Sequence, residues 1–275
     1  MSSTAITAVM VKELREKTNA AMMDCKKALV ECNGNMEEAI DWLRQKGLAK
    51  AAKKSDRETK EGVVLVHITD DGSKATLASL QCETDFVARN EAFTALATEV
   101  AQAISQTQDM ESIQGKVQEA IVTLGENITI GKSVSFALGG KSELGVYIHS
   151  NAKVGAMVEL ETDVRNPAIQ ELAKDLAMQV VATKPQAITA SELSHEVVER
   201  EKEVFRVKAQ EEGKPQNIIE KIVEGAIKKF YSEACLLNQS FIKDPNMTVE
   251  ALVNKVAKEN NTAIAIKRFD YISLI

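Results

Sequence analysis

The sequence predicts an α+β protein: a small three-helix amino-terminal domain, a linker, and a duplicated core of antiparallel strands and helices carrying an inserted antiparallel helical hairpin. Three observations carry this reading. Residues 4–47 place apolar side chains at helical spacing, whereas from Gly62 onward Val64, Val66 and Ile68 alternate with period two. The helical stripe Phe93, Leu96, Ala97, Val100, Ala101 and Ile104 returns 76 residues later as Ile169, Leu172, Ala173, Leu176, Ala177 and Val180. The run Glu83-Thr84-Asp85-Phe86-Val87-Ala88-Arg89-Asn90 also returns, as Glu161-Thr162-Asp163-Val164-Arg165-Asn166, two residues shorter and without the aromatic.

Residues 4–17, 21–32 and 36–46 read as three helices. In the second, Met22, Cys25, Ala28, Leu29 and Cys32 form one stripe, and in the third Met36, Ala39, Ile40 and Leu43 do so. Asn35 with Glu38 makes a capping box, Gly34 serves the turn before it, and Gly47 is the expected stop. This stretch, residues 1–48, is near the lower size limit for an independent domain, and its pattern resembles the ubiquitin-associated-like three-helix module. Residues 49–61 mix alternating charges with alanines and carry no apolar period, which marks a linker with some helical leaning.

Residues 62–68 and 77–82 read as paired strands around the turn Asp70-Asp71-Gly72-Ser73. Asn166-Pro167 opens the helix of the second copy in cap-then-proline order, so by the repeat Asn90 caps the helix of the first. Gly62-Val63-Val64-Leu65 echoes Gly145-Val146-Tyr147-Ile148. A helix over 110–125 and a strand over 130–138 complete the first repeat, residues 62–140. The second repeat takes 141–190 and 234–275 and ends in a helix over 249–259 and a strand over 263–271, where Ile264, Ile266 and Arg268 alternate with Ala265, Lys267 and Phe269. The hairpin fills residues 191–233, with helices over 191–212 and 216–232 broken by Gly213-Lys214-Pro215. Its expected seam sets Val197, Val204 and Val207 against Ile219, Ile222, Val223, Ala226 and Phe230.

Composition narrows the function. An apolar content of 44% over 275 residues fills a core and excludes disorder throughout. The formal charge of −6 is the opposite of the basic field that a nucleic-acid binder presents. No stretch reaches ~18 apolar residues and the amino terminus lacks a signal pattern, so a cytoplasmic protein with no membrane partner is expected. Cys25, Cys32, Cys82 and Cys235 show no C-x-x-C spacing, which fits buried reduced thiols. Glu83 and Asp85 invite an acid/base or magnesium reading, but that chemistry needs a pocket and further titratable partners. His67 and His149, assigned to strands, and His195, on an exposed helix, lack ligand spacing. Without a Gly-rich phosphate loop, G-x-S-x-G or H-E-x-x-H, the sequence points away from an enzyme and from a cofactor.

Phe86 is the residue this leaves unexplained. The repeat closes a strand-to-helix unit without it, and such loops run over the surface, so Phe86 beside Asp85 reads as an interface anchor rather than a core residue. Met23, about 100° around its helix from the apolar stripe, reads either as a solvated side chain, the default for such a position, or as an adaptable contact for a partner helix. Leu14 and Arg15 are expected to join it on one exposed patch.

Leu14-Arg15-Glu16-Lys17-Thr18-Asn19-Ala20-Ala21-Met22-Met23-Asp24-Cys25-Lys26-Lys27-Ala28-Leu29, together with Thr84-Asp85-Phe86-Val87-Ala88, resembles the two signatures of the bacterial elongation factor Ts family. The resemblance follows the family's order over nearly the whole chain. It departs at Asn19-Ala20-Ala21, where the family has glycines and where Asn tolerates left-handed geometry. The resemblance implies a guanine-nucleotide exchange factor for elongation factor Tu in translation elongation, one that makes and breaks no bond. It implies that the amino-terminal domain, through Leu14, Arg15, Met22 and Met23, docks on the partner's GTP-binding domain. It implies that Thr84, Asp85, Phe86 and Val87 dislocate the partner's magnesium ion by wedging the aromatic between two partner helices, and that His149 makes a further contact. The hairpin is the element expected to carry a homodimer or two-to-two complex. The rival reading, a protein-binding scaffold using the ubiquitin-associated-like module, leaves the Phe86 asymmetry without an account.

Overall fold

The computed structural model describes residues 5–18, 20–106 and 110–275. Thr4, the expected start of the first helix, and Asn19 in the turn after it lie outside the described residues.

The amino-terminal stretch forms α1 (Ala8–Thr18), α2 (Met22–Glu31) and α3 (Met36–Ala52). Val11, Leu14, Cys25, Ala28, Leu29 and Ala39 are buried at their centre, with Met36, Ile40, Trp42 and Leu43 packed around them. Asn35 caps α3 by accepting the N–H groups of Glu37 and Glu38 at 3.1 and 3.3 Å, and its amide donates to Glu38 Oε1 at 2.8 Å. Gly47 does not stop this helix. A Cβ there would lie 3.2 Å from Val122 Cγ2, so the glycine is where α3 passes close to α6 (Met110–Leu124). A turn further on, Ala51 is buried in the cluster of Leu80, Phe93 and Val117. Lys46 and Lys50 grip the Asp24 carboxylate at 3.1 and 2.7 Å, which ties α2 to the extended α3. The Lys50 hydrogen bond leads in holding Asp24 below the usual carboxylate range.

The chain divides into two compact units, residues 1–136 with 274–275, and residues 137–273. The first unit carries a sheet in the order β1 (Glu61–Ile68), β2 (Lys74–Cys82), β3 (Thr129–Ala137), with the single turn α4 (Asp85–Ala88), α5 (Glu91–Gln106) and α6. The second carries β4 (Ser142–Ile148), β5 (Val154–Thr162), α7 (Pro167–Thr183), α8 (His195–Glu211) and α9 (Gln216–Ala234). It continues with a small ribbon of β6 (Ser240–Phe241) and β7 (Asp244–Thr248), then α10 (Val249–Glu259) and β8 (Ile264–Ser273), and its main sheet runs β4-β5-β8. β1-β2-α5 and β4-β5-α7 are therefore the two copies, each with a late strand beside its second strand. Burial repeats with the sequence: Phe93, Leu96, Ala97, Val100 and Ala101 have buried counterparts in Ile169, Leu172, Ala173, Leu176 and Ala177. One counterpart is polar. Gln179 stands where the first copy has Ala103, and its buried amide donates to Gln239 at 3.0 Å and to the Ser240 carbonyl at 3.1 Å while accepting the Ile242 N–H at 2.9 Å.

Three further sequence expectations change in detail. Gly62 pairs with Gln81 and Gly145 with Val158, so relative to the two Glu-Thr-Asp copies the glycines are one register position apart. A one-residue offset puts them on opposite sheet faces. Gly145 faces the helix, where a Cβ would come within 1.9 Å of the Ala173 carbonyl oxygen.

In β8 the alternation breaks. Glu159 pairs with Arg268 but Leu160 with Ile266, a bulge that leaves Lys267 extra. Ile264 and Ile266 face the core before the bulge, Phe269 and Tyr271 after it. Both neighbouring cations then reach the buried Glu159, Lys267 at 3.0 Å and Arg268 at 2.5 Å, with Ser142 donating its hydroxyl to the same carboxylate. Burial pushes the Glu159 carboxyl up, but the hydrogen bonds from Ser142, Lys267 and Arg268 outweigh it and the group stays below its ordinary value.

In the hairpin the seam is Phe205 and Ala209 on α8 against Ile219, Ile222, Val223, Ile227 and Phe230 on α9. Val204 and Val207 are exposed. Phe205 and Ala209 stand four apart and so share one face, and the larger aromatic surface wins the interior. Arg206, next along, bridges Glu203 at 2.6 Å and Glu220 at 3.0 Å on the opposite arm. Cys25, Cys82 and Cys235 are buried, Cys32 is half-buried, and all four are free thiols. Among the described residues no helix is long and apolar enough to cross a membrane.

Candidate functional site

β2 ends at Cys82, and the chain must leave the sheet and enter α5 within a few residues. The Thr84 hydroxyl begins the connection by accepting the Val87 N–H at 3.4 Å, which caps the single turn α4. Asp85 opens that turn and pairs with Arg89 at 3.1 Å. Ala88 is buried and Val87 packs against the core of the first unit. Phe86, between these anchors, is 84% exposed. An aromatic of this size ordinarily buries about 150–250 Å², and on this fastened turn most of that surface is left open to solvent. The second copy makes no such turn. Thr162 bonds locally with Val164, and Asp163 pairs with Lys141 at 2.7 Å. Val164 packs into its core as Val87 does, so the length missing from the second copy includes the Phe86 position.

The turn is held from outside by residues that sequence reasoning missed. Glu126 Oε2 accepts the N–H groups of Glu83 and Thr84 at 3.0 and 2.9 Å, and Oε1 accepts the Thr84 hydroxyl at 2.5 Å. Asn127 donates its N–H to Glu83 Oε1 at 2.6 Å, and its amide donates to the carbonyls of Ser55 and Arg57 at 3.3 and 2.7 Å. Gly125, at φ +81°, is the only local sign in the sequence that the chain turns here. Nothing periodic announces a contact across 42 residues. The Cys82 thiol, pushed up to about 12 by burial and then by Glu126, stays protonated and donates to the Thr84 carbonyl.

The remaining candidates lie elsewhere. Leu14 is fully buried in the amino-terminal core, because its helical position faces Cys25 and Leu29, so its side chain does not join the expected exposed patch. Arg15 is exposed. Met22, expected on the core stripe, is 55% exposed at the first position of α2, and Met23 is 73% exposed. His149 falls just past β4, not within it: its N–H and carbonyl close the turn with Val154 and Ala152, and its Nδ1 lies 3.2 Å from the Tyr147 hydroxyl. His67 does lie in β1, and His195 opens α8 exposed.

Glu83 is engaged by Asn127 and by Arg57 at 3.5 Å, and Asp85 by Arg89, so neither carboxylate points with a partner acid into a pocket. Among the described residues no group of three or more His, Cys, Asp or Glu could hold a metal ion. A surface cleft of about 460 Å³ in the second unit is lined by Lys267 and Arg268, whose charges already meet Glu159.

Comparison with known proteins converges on one family. Residues 83–272 match the family model described as Elongation factor TS. The chain is 48% identical over 270 residues to a protein called Elongation factor Ts from Nitratidesulfovibrio vulgaris (strain DP4), covering 96% of this chain and 94% of the relative. It is 44% identical over 290 residues to the protein of that name from Lawsonia intracellularis, covering 98% and 99%. For Clostridium botulinum (strain Eklund 17B / Type B) the figures are 44% over 277 residues, 96% and 91%. With such likeness running from the three helices through both copies of the core, the chain belongs to the elongation factor Ts family.

Proposed function

We propose that the chain is a guanine-nucleotide exchange factor for elongation factor Tu in translation elongation, and that the exposed Phe86 on its fastened turn is the wedge that releases GDP. The observation carrying this reading is the 84% exposure of Phe86 between the anchored Thr84 and Val87. Insertion of the aromatic between two partner helices displaces the segment that positions the partner's magnesium ion, with Asp85 beside it. The nucleotide phosphates then lose their main counter-charge. The factor transfers no group and needs no cofactor of its own.

Magnitudes divide the work. A ~10⁴-fold acceleration of release requires ~5.5 kcal/mol of differential stabilisation. Burying one phenyl ring contributes ~1.5–3 kcal/mol. The remainder falls to other contacts, which we assign to the three-helix domain, residues 1–48, through Arg15, Met22 and Met23, with Leu14 supporting them from the core, and to His149 in the second repeat. The linker, 49–61, joins that domain to the repeats at 62–140 and at 141–190 with 234–275.

Exchange is a coupling between two ligands of one partner, so each weakens the other by the same factor. Titration of the chain into elongation factor Tu with and without GDP tests this. Binding that is weakened by GDP in the ratio by which the chain weakens GDP supports the reading; equal affinity for both forms overturns it.

The hairpin, residues 191–233, supports a second proposal, a homodimer or two-to-two complex. Val204 and Val207 on α8 and Ile218 on α9 remain exposed outside its seam. Sedimentation of the chain before and after deletion of residues 191–232 tests it: an assembly of two or more chains that loses its association on deletion supports the proposal, and an oligomeric state unchanged by the deletion excludes the hairpin as the dimer element.

A further inference from the structure

We propose that Glu126 is a positioning residue for Phe86, fixing the direction in which the aromatic leaves the surface; the inference rests on the wedge reading given above. α4 has four residues. A single helical turn has no cooperative stability of its own, so its orientation depends on what holds its ends. Phe86, being exposed, makes too few contacts to set its own direction. Thr84 caps the turn from within, and Thr84 is in turn held by Glu126 through both its N–H and its hydroxyl, while the Glu83 N–H shares the same carboxylate. Three donors on one carboxylate are charge-assisted bonds with fixed geometry.

The duplication isolates this device. In the second copy the Thr162 N–H donates to the Lys141 carbonyl at 2.8 Å and its hydroxyl to the Val164 carbonyl at 3.2 Å. Backbone carbonyls take the donors there; a carboxylate takes them where the aromatic is carried. Asn127, the next residue, extends the grip to the Ser55 and Arg57 carbonyls, so the chain leaving α3 and the Phe86 turn are fastened to one two-residue post. Preorganising the turn removes an ordering cost that insertion of the aromatic in the open state would otherwise bear.

The test uses the full chain with Glu126→Ala and Glu126→Gln, each made with Phe86 and with Phe86→Ala. Release of a fluorescent GDP analogue from elongation factor Tu is followed against factor concentration, with a thermal melt of each variant. With Phe86 present, Glu126→Ala should slow release at saturating factor about tenfold, the order expected on losing charge-assisted hydrogen bonds. The half-saturating concentration should stay within about threefold, because the lost interaction acts in the open state rather than on docking. Glu126→Gln, which keeps an acceptor oxygen, should recover most of that loss. With Phe86→Ala, Glu126→Ala should cost less than about twofold more, since both act through one side chain. An unslowed Glu126→Ala, or a tenfold loss that persists with Phe86→Ala, overturns the proposal. Should Glu126→Ala not fold by its melt, the same comparison is read on Glu126→Gln: a partial loss confined to the Phe86 background supports it, and no loss or an equal loss in both backgrounds overturns it. Failure of the underlying reading is separately visible, as wild-type protein that does not accelerate release or a Phe86→Ala variant that is undiminished.

Discussion

Glu126 and Thr84 meet twice: one carboxylate oxygen accepts the threonine N–H at 2.9 Å, and the other accepts its hydroxyl at 2.5 Å. This fastens the most exposed aromatic of the described residues to the segment between α6 and β3. The exposed ring therefore projects from a turn that Val87 and Ala88 root in the core of the first unit. Thermodynamic stability and the proposed function separate here, because a ring so exposed contributes little to folding.

The close approach of α3 to α6 should be sensitive to volume at Gly47. Gly47→Val forces atoms into the space where a bare Cβ already stands 3.2 Å from Val122 Cγ2, and overpacking of this kind costs about 1–3 kcal/mol. Val122→Ala in the same chain should return part of it. Urea denaturation of both variants checks the pair, and additive losses would mean that the two positions do not touch.

The buried Glu159 gives a pH dependence of known sign. Its folded-state pKa is lowered from 4.5, so its stabilisation is fully present above that value and is lost as pH falls through the folded value. Glu159→Gln should cost about 2 kcal/mol at pH 7 and progressively less below pH ~4.5. Denaturation curves at pH 7 and in the acid range check this; a gap that widens on acidification would contradict it.

The hairpin seam predicts unequal effects of adjacent substitutions. Phe205→Ala should destabilise the hairpin by about 2–3 kcal/mol, since its ring is packed between the arms. Val204→Ala, on the exposed face, should stay within about 0.5 kcal/mol. Hydrogen exchange over α8 and α9 resolves the two, and equal protection in both variants would refute the seam.

What the sequence revealed and what it hid follow from the range of the interactions. The repeated stripe led to α5 and α7, and the caps Asn35 and Asn166 to the starts of α3 and α7, because periodicity and capping act within one or two turns. Gly47 misled for the same reason: locally it resembles a stop, and only the distant Val122 explains it. The seam was misjudged because Val204, Phe205 and Val207 offer two helical faces, and the contact with α9 chooses between them. The surface position of Phe86 was legible through its absence from the second copy, whereas Glu126 and Asn127 carry no periodic mark and come into view only when the fold brings them to the turn.

The central claim concerns Phe86, and the measurement that tests it most directly is release of a fluorescent GDP analogue from elongation factor Tu under saturating wild-type or Phe86→Ala protein. The account predicts strong acceleration by the wild type and a loss of about thirtyfold in the variant, the equivalent of ~2 kcal/mol for a truncated anchor. The melting temperature should be unchanged, because the ring is 84% exposed. Release from the variant as fast as from the wild type would contradict the account.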